Sequence, residues 1–327
     1  MTPSRIVCAV DFSANGRAVL AQAVALAGWH EAELDVLFVR PGSRAKDAAG
    51  DDGLRAHLVE FVRQAAPAHV RTSAFVHGGE PVSSVVDHVA ERPADLAIVG
   101  QDGPRRALFW SRGRFAAAVA RRISIPVITV TSRTPLIAPE AQFHRIVCAV
   151  DDSCAAAKAL RTALGLAQQS GGRLTVLHVI DRDRQAPIYA ASTASRLLGE
   201  FDARARGIAT QLRSLVPDAA LDWCEVDYRV LPGVPQAVIT ATAAADAADL
   251  LVVGRPPQSW FGAIGSTVSA VLARATCPVL TVPGAAGVRD ATPAHRNAPV
   301  DIAEFRAATL AARARRPAEE ERTLWTS

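Results

Sequence analysis

Short unbroken apolar runs alternate along the chain with segments whose apolar residues recur every three or four positions. Ile6–Val10 is such a run, the pattern of a strand covered on both faces. Behind it, Leu20, Ala23, Val24 and Ala27 share one helical face, and Leu160, Ala163, Leu164 and Ala167 repeat that spacing later. Ser13 and Ser153 stand just before these two helices as N-caps. Further strands are predicted at 34–39, 70–77, 95–100 and 126–131, and again at 174–179, 221–230, 249–254 and 278–283. Helical segments separate them, the longest at 192–216. Alternation of this kind predicts an α/β fold with a parallel, doubly wound (Rossmann-like) sheet covered by helices on both faces.

The pattern occurs twice. "RIVCAVDFS" at 5–13 returns as "RIVCAVDDS" at 145–153, and "ELDVLFV" at 33–39 as "RLTVLHV" at 173–179. "ADLAIVG" at 94–100 matches "ADLLVVG" at 248–254, and "IPVITV" at 125–130 matches "CPVLTV" at 277–282. Two tandem five-stranded domains follow, 1–133 and 144–284, joined by a Pro-containing linker at 134–143. The tail, 285–327, has no counterpart in the first half; its basic stretch "DIAEFRAATLAARARR" reads as a flexible or partly helical end.

Composition narrows the classes. The chain is 50% hydrophobic and 21% charged, the balance of a globular protein, and no apolar run is long enough to span a bilayer. The N-terminus enters a strand directly, so the expected location is the cytoplasm. Net charge is +4, yet acids are interspersed throughout and no basic patch for nucleic acid stands out. Lys46 and Lys158 are the only lysines among 36 basic residues, so arginine is this chain's default cation. Cys8, Cys148, Cys154, Cys224 and Cys277 form no CxxC pair, and neither a disulfide framework nor a metal site is expected.

Ligands on doubly wound sheets bind at the carboxyl ends of the strands. There, each half ends its first strand at an aspartate, Asp11 or Asp151, able to accept hydrogen bonds from a ligand or to cap the next helix. Each ends its second strand at a valine, Val39 or Val179, and its fourth at a glycine, Gly100 or Gly254. The glycine opens a loop leading to a helix N-terminus, whose unpaired N–H groups favour an anion. His77, His88 and His178 stand singly within strand or helix patterns and are read as core or surface histidines.

The order of these features resembles the universal stress protein family. It comprises "VDxS" after the first strand, a G-x-P turn (Gly79-Glu80-Pro81; Gly233-Val234-Pro235), "ADLxVVG", a glycine loop, and "PV" before the last strand. The resemblance runs through both halves and implies a tandem member whose halves pack as an intramolecular pseudo-dimer through their last strands. Pro283 would limit how far that pairing extends. It implies adenine nucleotide as ligand, ATP with ADP or AMP as alternatives, with magnesium carried by the nucleotide. The implied contacts are Ala9, Asp11, Val39, Val99, Gly100, Gly103, Gly113 and Arg114 in the first half. In the second they are Ala149, Asp151, Val179, Val253, Gly254, Gly265, Ser266 and Thr267.

The ATP-binding branch of that family carries G-x2-G-x9-G-S/T. The first half has Gly100, Gly103 and Gly113 in that spacing, but Arg114 replaces the hydroxyl residue. The second keeps Gly265-Ser266, but Pro257 replaces the middle glycine and the loop is shorter. Proline has no N–H to donate and a fixed φ; Arg114 offers a forked phosphate contact instead. The aromatic pairs Phe109-Trp110 and Trp260-Phe261 are expected to pack against protein. With no catalytic constellation apparent, the leading expectation is a non-enzymatic nucleotide-binding regulator. A nucleotide-free interaction scaffold and a slow ATP hydrolase are the alternatives; the protein partner and any further homodimer are left open.

Overall fold

Successive residues of the first strand enter different cores. Ile6, Cys8 and Val10 pack into an apolar cluster with Leu20 and Val24, while Val7 packs on the other face with Val85 and Val119. That alternation is why the strand reads as an unbroken apolar run. The computed structural model describes residues 2–40, 48–101, 113–131, 143–181, 194–256 and 265–284.

The first half comprises β1 (Arg5–Val10), α1 (Ala14–His30), β2 (Glu33–Arg40), α2 (Ala48–Arg63), β3 (Thr72–Gly78), α3 (Pro81–Glu91), β4 (Leu96–Gly100), α4 (Arg114–Arg122) and β5 (Val127–Val130). The second repeats the order with β6 (Arg145–Ala149), α5 (Cys154–Ser170), β7 (Arg173–Asp181), α6 (Ala194–Ser214) and β8 (Glu225–Gly233). It closes with α7 (Pro235–Ala245), β9 (Leu250–Arg255), α8 (Ser266–Arg274) and β10 (Val279–Pro283).

Within each half the strands run parallel, and the two sets form one ten-stranded sheet in the order β3-β2-β1-β4-β5-β10-β9-β6-β7-β8. The halves meet through antiparallel pairing of β5 with β10, covering Val127–Thr129 against Val279–Thr281. Pro283 lies beyond that pairing, opposite Arg255 of β9. The face carrying α1 and α5 has one apolar cluster that spans both halves, including Ile128 and Leu280. The opposite face holds two separate clusters, one around α3 and α4 and one around α7 and α8.

Local signals act where the sequence places them. Ser13 and Ser153 cap α1 and α5, accepting hydrogen bonds from the N–H groups of Gly16 and Ala156. Gly79 and Gly233, at φ +128° and +144°, turn the chain so that Pro81 and Pro235 open α3 and α7. One predicted strand is corrected: residues 221–224 do not extend β8. Asp218–Ala220 forms a 3-10 turn there, and Leu221 and Trp223 remain 49% and 42% exposed, too wet for a strand of this sheet. Residues 134–142 of the predicted linker and the tail at 285–327 lie outside the described residues.

Candidate functional site

Each strand-end aspartate ties down the loop that follows it. Asp11 Oδ1 accepts from the Ser13 N–H at 3.2 Å and from its hydroxyl, and Ser13 Oγ accepts from the Gly16 N–H at 3.1 Å. Asp151 Oδ1 likewise accepts from the Ser153 N–H at 3.1 Å and from its hydroxyl. Capping therefore occupies one oxygen of each carboxylate. The Oδ2 atoms take no hydrogen bond among the described residues, so the capping and ligand-accepting roles coexist in one side chain.

In the first half a pocket at the strand ends brings Ala9, Asp11, Val39 and Gly100 together with Asn15, Pro81 and Phe115. Val99 sits below it in the core. Gly16 is dictated by this corner, since a Cβ there would fall 1.8 Å from the Asp11 carbonyl oxygen. Phe115, 5% exposed, is a residue the sequence reading missed; it occupies the position matching Thr267. Its only sequence signal is an aromatic two residues after the last loop glycine.

The loop-closing glycines differ between halves. Gly113 has φ +77°, and a Cβ on it would lie 2.9 Å from Ala273 Cα in α8, so fold packing already claims it. Arg114 beyond it is exposed. Gly265 has φ −50° and ψ 148°, a conformation open to any residue, and nothing lies within 4 Å of its would-be Cβ. Gly265 and Ser266 are exposed, Thr267 is half-buried, and no side chain caps α8. The first N–H groups of α8 thus lack a side-chain acceptor beside an open face.

Gly254 has a packing reason of its own. A Cβ there would fall 2.6 Å from the carbonyl carbon of Ala155, because the first turn of α5 rests on the end of β9. Ala149 and Val179 are half-buried beside it, and Val253 is buried in the core beneath. Gly103, Phe109, Trp110, Pro257, Trp260 and Phe261 lie outside the described residues.

The residue after each fourth-strand glycine crosses to the other half. Gln101 Nε2 donates to the Leu272 carbonyl in α8 at 2.6 Å. Arg255, its counterpart, donates from Nη2 to the carbonyls of Ile123, the C-cap of α4, and Ile125. A cation at a helix C-terminus is electrostatically well placed.

His77 and His88 are not single, as the sequence reading has them. Their rings are 5.3 Å apart, and His88 Nε2 lies 3.3 Å from the buried carboxylate of Asp35, which also accepts from Arg92 Nε at 2.8 Å. Burial holds the His88 pKa below the ordinary histidine value despite the pull of Asp35. At the corresponding place in the second half, Asp246 on the helix side accepts from Arg229 of β8 at 2.8 Å and from Thr175 Oγ1 at 3.1 Å. The signs of the partners are exchanged between sheet and helix. His178 stands alone by comparison, its pKa lowered by burial and partly restored by Asp152 and Asp151.

The family model for universal stress proteins matches residues 3–131 and again 142–283. The chain belongs to the universal stress protein family. Its fold is similar to that of a universal stress protein from Archaeoglobus fulgidus DSM 4304, with 18% identity and TM-score 0.59, covering 86% of this chain and 98% of that one. It is also similar to a functionally unknown protein from Pseudomonas aeruginosa PAO1, with 17% identity and TM-score 0.56, covering 86% and 92%. No curated protein matches the sequence significantly. As a tandem universal stress protein, the chain presents two strand-end sites built on one plan and finished differently. Among its described residues no helix is long and apolar enough to cross a membrane, and no group of three or more His, Cys, Asp or Glu is placed to hold a metal.

Proposed function

We propose that this chain is a non-enzymatic stress-response regulator that binds adenine nucleotide, ATP before ADP or AMP, at the strand ends of its second half. The observation that carries the reading is Gly265: its dihedrals do not require glycine and no neighbour crowds it, so its missing side chain is explained by something that approaches from the open face. The residues present suit such a ligand. The uncapped N-terminus of α8 with Ser266 suits phosphate, the free Oδ2 of Asp151 suits a ribose hydroxyl or ring amine, and Ala149 and Val179 offer apolar flanks. Magnesium would arrive with the nucleotide.

The first half supports a weaker site, since Gly113 is committed to Ala273 and Phe115 lines the pocket. In this reading the halves act as an intramolecular pair in the cytoplasm, with nucleotide occupancy biasing the choice of a protein partner. Denaturing extraction of the purified protein followed by titration calorimetry on stripped material tests it. The expected result is saturable micromolar ATP binding that weakens at least tenfold in Gly265→Val, with thermal unfolding unchanged. No binding of ATP, ADP or AMP at millimolar concentration overturns it in favour of a nucleotide-free scaffold.

A further inference from the structure

Three cations of the second half stand where the first half has neutral residues. Lys158 and Arg161 of α5 match Ala18 and Ala21 of α1, and Arg255 matches Gln101. Among the described residues none of the three meets a carboxylate. Arg255 is 1% exposed; its Nη2 reaches two carbonyls and its Nε has no partner. A guanidinium taken wholly out of water is costly unless an anion offsets it.

These charges converge on the root of the candidate loop. Arg255 directly follows Gly254, and the first turn of α5 is pressed against that glycine at Ala155. Lys158 lies about one helical turn further along α5, with Arg161 one turn beyond. Lys158 is half-buried, and burial, then the charges of Arg161 and Arg255, lower its pKa. The three cations therefore sense one another through protein of low dielectric. The lysine is also one of only two in a chain that otherwise uses arginine.

We infer that Lys158, Arg161 and Arg255 make the second half select its ligand by charge, favouring a triphosphate chain over a monophosphate on the same nucleoside. The inference rests on the nucleotide reading above. Contacts to the base and ribose are common to both ligands and do not discriminate; an uncompensated positive field does, because it attracts the longer chain more strongly. Arg255 works as a positioning charge rather than a contact, and Lys158 and Arg161 add to its field.

Calorimetry of the full chain with ATP, AMP and inorganic triphosphate, repeated on Arg255→Gln and Lys158→Ala, tests it. Both variants install the residue type of the first half, and Lys158→Ala guards against a folding defect at the fully buried Arg255. The expected result is ATP binding about tenfold or more tighter than AMP, with that ratio falling several-fold in each variant while AMP affinity holds. A purely structural role would weaken both ligands alike. ATP binding with an unchanged ratio in both variants overturns this inference and leaves the nucleotide reading intact. Inorganic triphosphate binding as tight as ATP, lost in the variants, keeps the charge selection and overturns the nucleotide reading. No binding of any of the three overturns both.

Discussion

Ile128 and Leu280, the same position in the two repeats, stand opposite each other at the middle of the strand pair that joins the halves. Thr129 faces Val279 and Thr281 faces Val127, so the seam is symmetric residue by residue. Its hydrogen bonding is not symmetric. Thr281 Oγ1 donates to the Val127 carbonyl at 3.3 Å, whereas the buried Thr129 Oγ1 has no partner.

That asymmetry predicts opposite responses to one substitution. Thr281→Val loses a buried hydrogen bond and is expected to cost about 1 kcal/mol. Thr129→Val removes an unsatisfied hydroxyl and is expected to be neutral or to stabilise by about 1 kcal/mol. Urea denaturation of both variants checks the order; equal losses would refute the asymmetry.

The glycines divide in the same manner. Gly113→Ala meets a positive φ and the Ala273 backbone, and Gly254→Ala drives a methyl into Ala155. Each is expected to destabilise by about 1–3 kcal/mol. Gly265→Ala, with ordinary dihedrals and open space, is expected to change stability by less than about 0.5 kcal/mol. Thermal unfolding of the three variants makes the comparison.

At the Asp35 cluster the cost depends on which charge is removed. Asp35 is 2% exposed while the Arg92 side chain is 39% exposed. Arg92→Ala strands a buried carboxylate and is expected to cost about 3 kcal/mol, discounted for the solvent that reaches the arginine. Asp35→Asn leaves a cation that water can reach, and about half that loss is expected. Denaturant midpoints of the two variants decide; the reverse order would mean the cluster is organised by the arginine.

Buried histidines give stability a direction with pH. Burial lowers the pKa of His88 and of His178, and brings that of His30 down to about 4. Each folded value lies below the ordinary one near 6.5, so protonation favours the unfolded chain. Stability from these groups is complete above about pH 6.5 and declines as pH falls through the window toward 4. Urea midpoints at pH 7.5, 6 and 5 are expected to drop by about 1–2 kcal/mol in total, with a shallower drop in His88→Gln. A flat profile, or an unaltered slope in that variant, counts against the assignment.

Much of the fold is legible in the sequence because strands covered on both faces need unbroken apolar runs, and the duplicated "RIVCAVD" and "ADLxVVG" segments mark them twice. The caps at Ser13 and Ser153 are local and equally readable. Residue type does not show what only packing decides. Gly254 and Gly265 look alike in a motif, yet one is held against α5 and the other faces open space. The meeting of His88 with Asp35, or of Arg255 with Ile123, joins segments far apart in the chain, and no local spacing announces it.

The seam has a consequence during synthesis. β5 is the edge of the first half's sheet, and its partner β10 ends at Pro283. Roughly 150 residues must still be made after Val130 before that partner exists, about 10–30 s at ordinary translation rates. Throughout that interval a nascent chain carries a bare apolar edge strand, a template for pairing with its neighbours on the same messenger. The second half is thus also a cover that arrives late, and slow translation across it is expected to favour aggregation over folding.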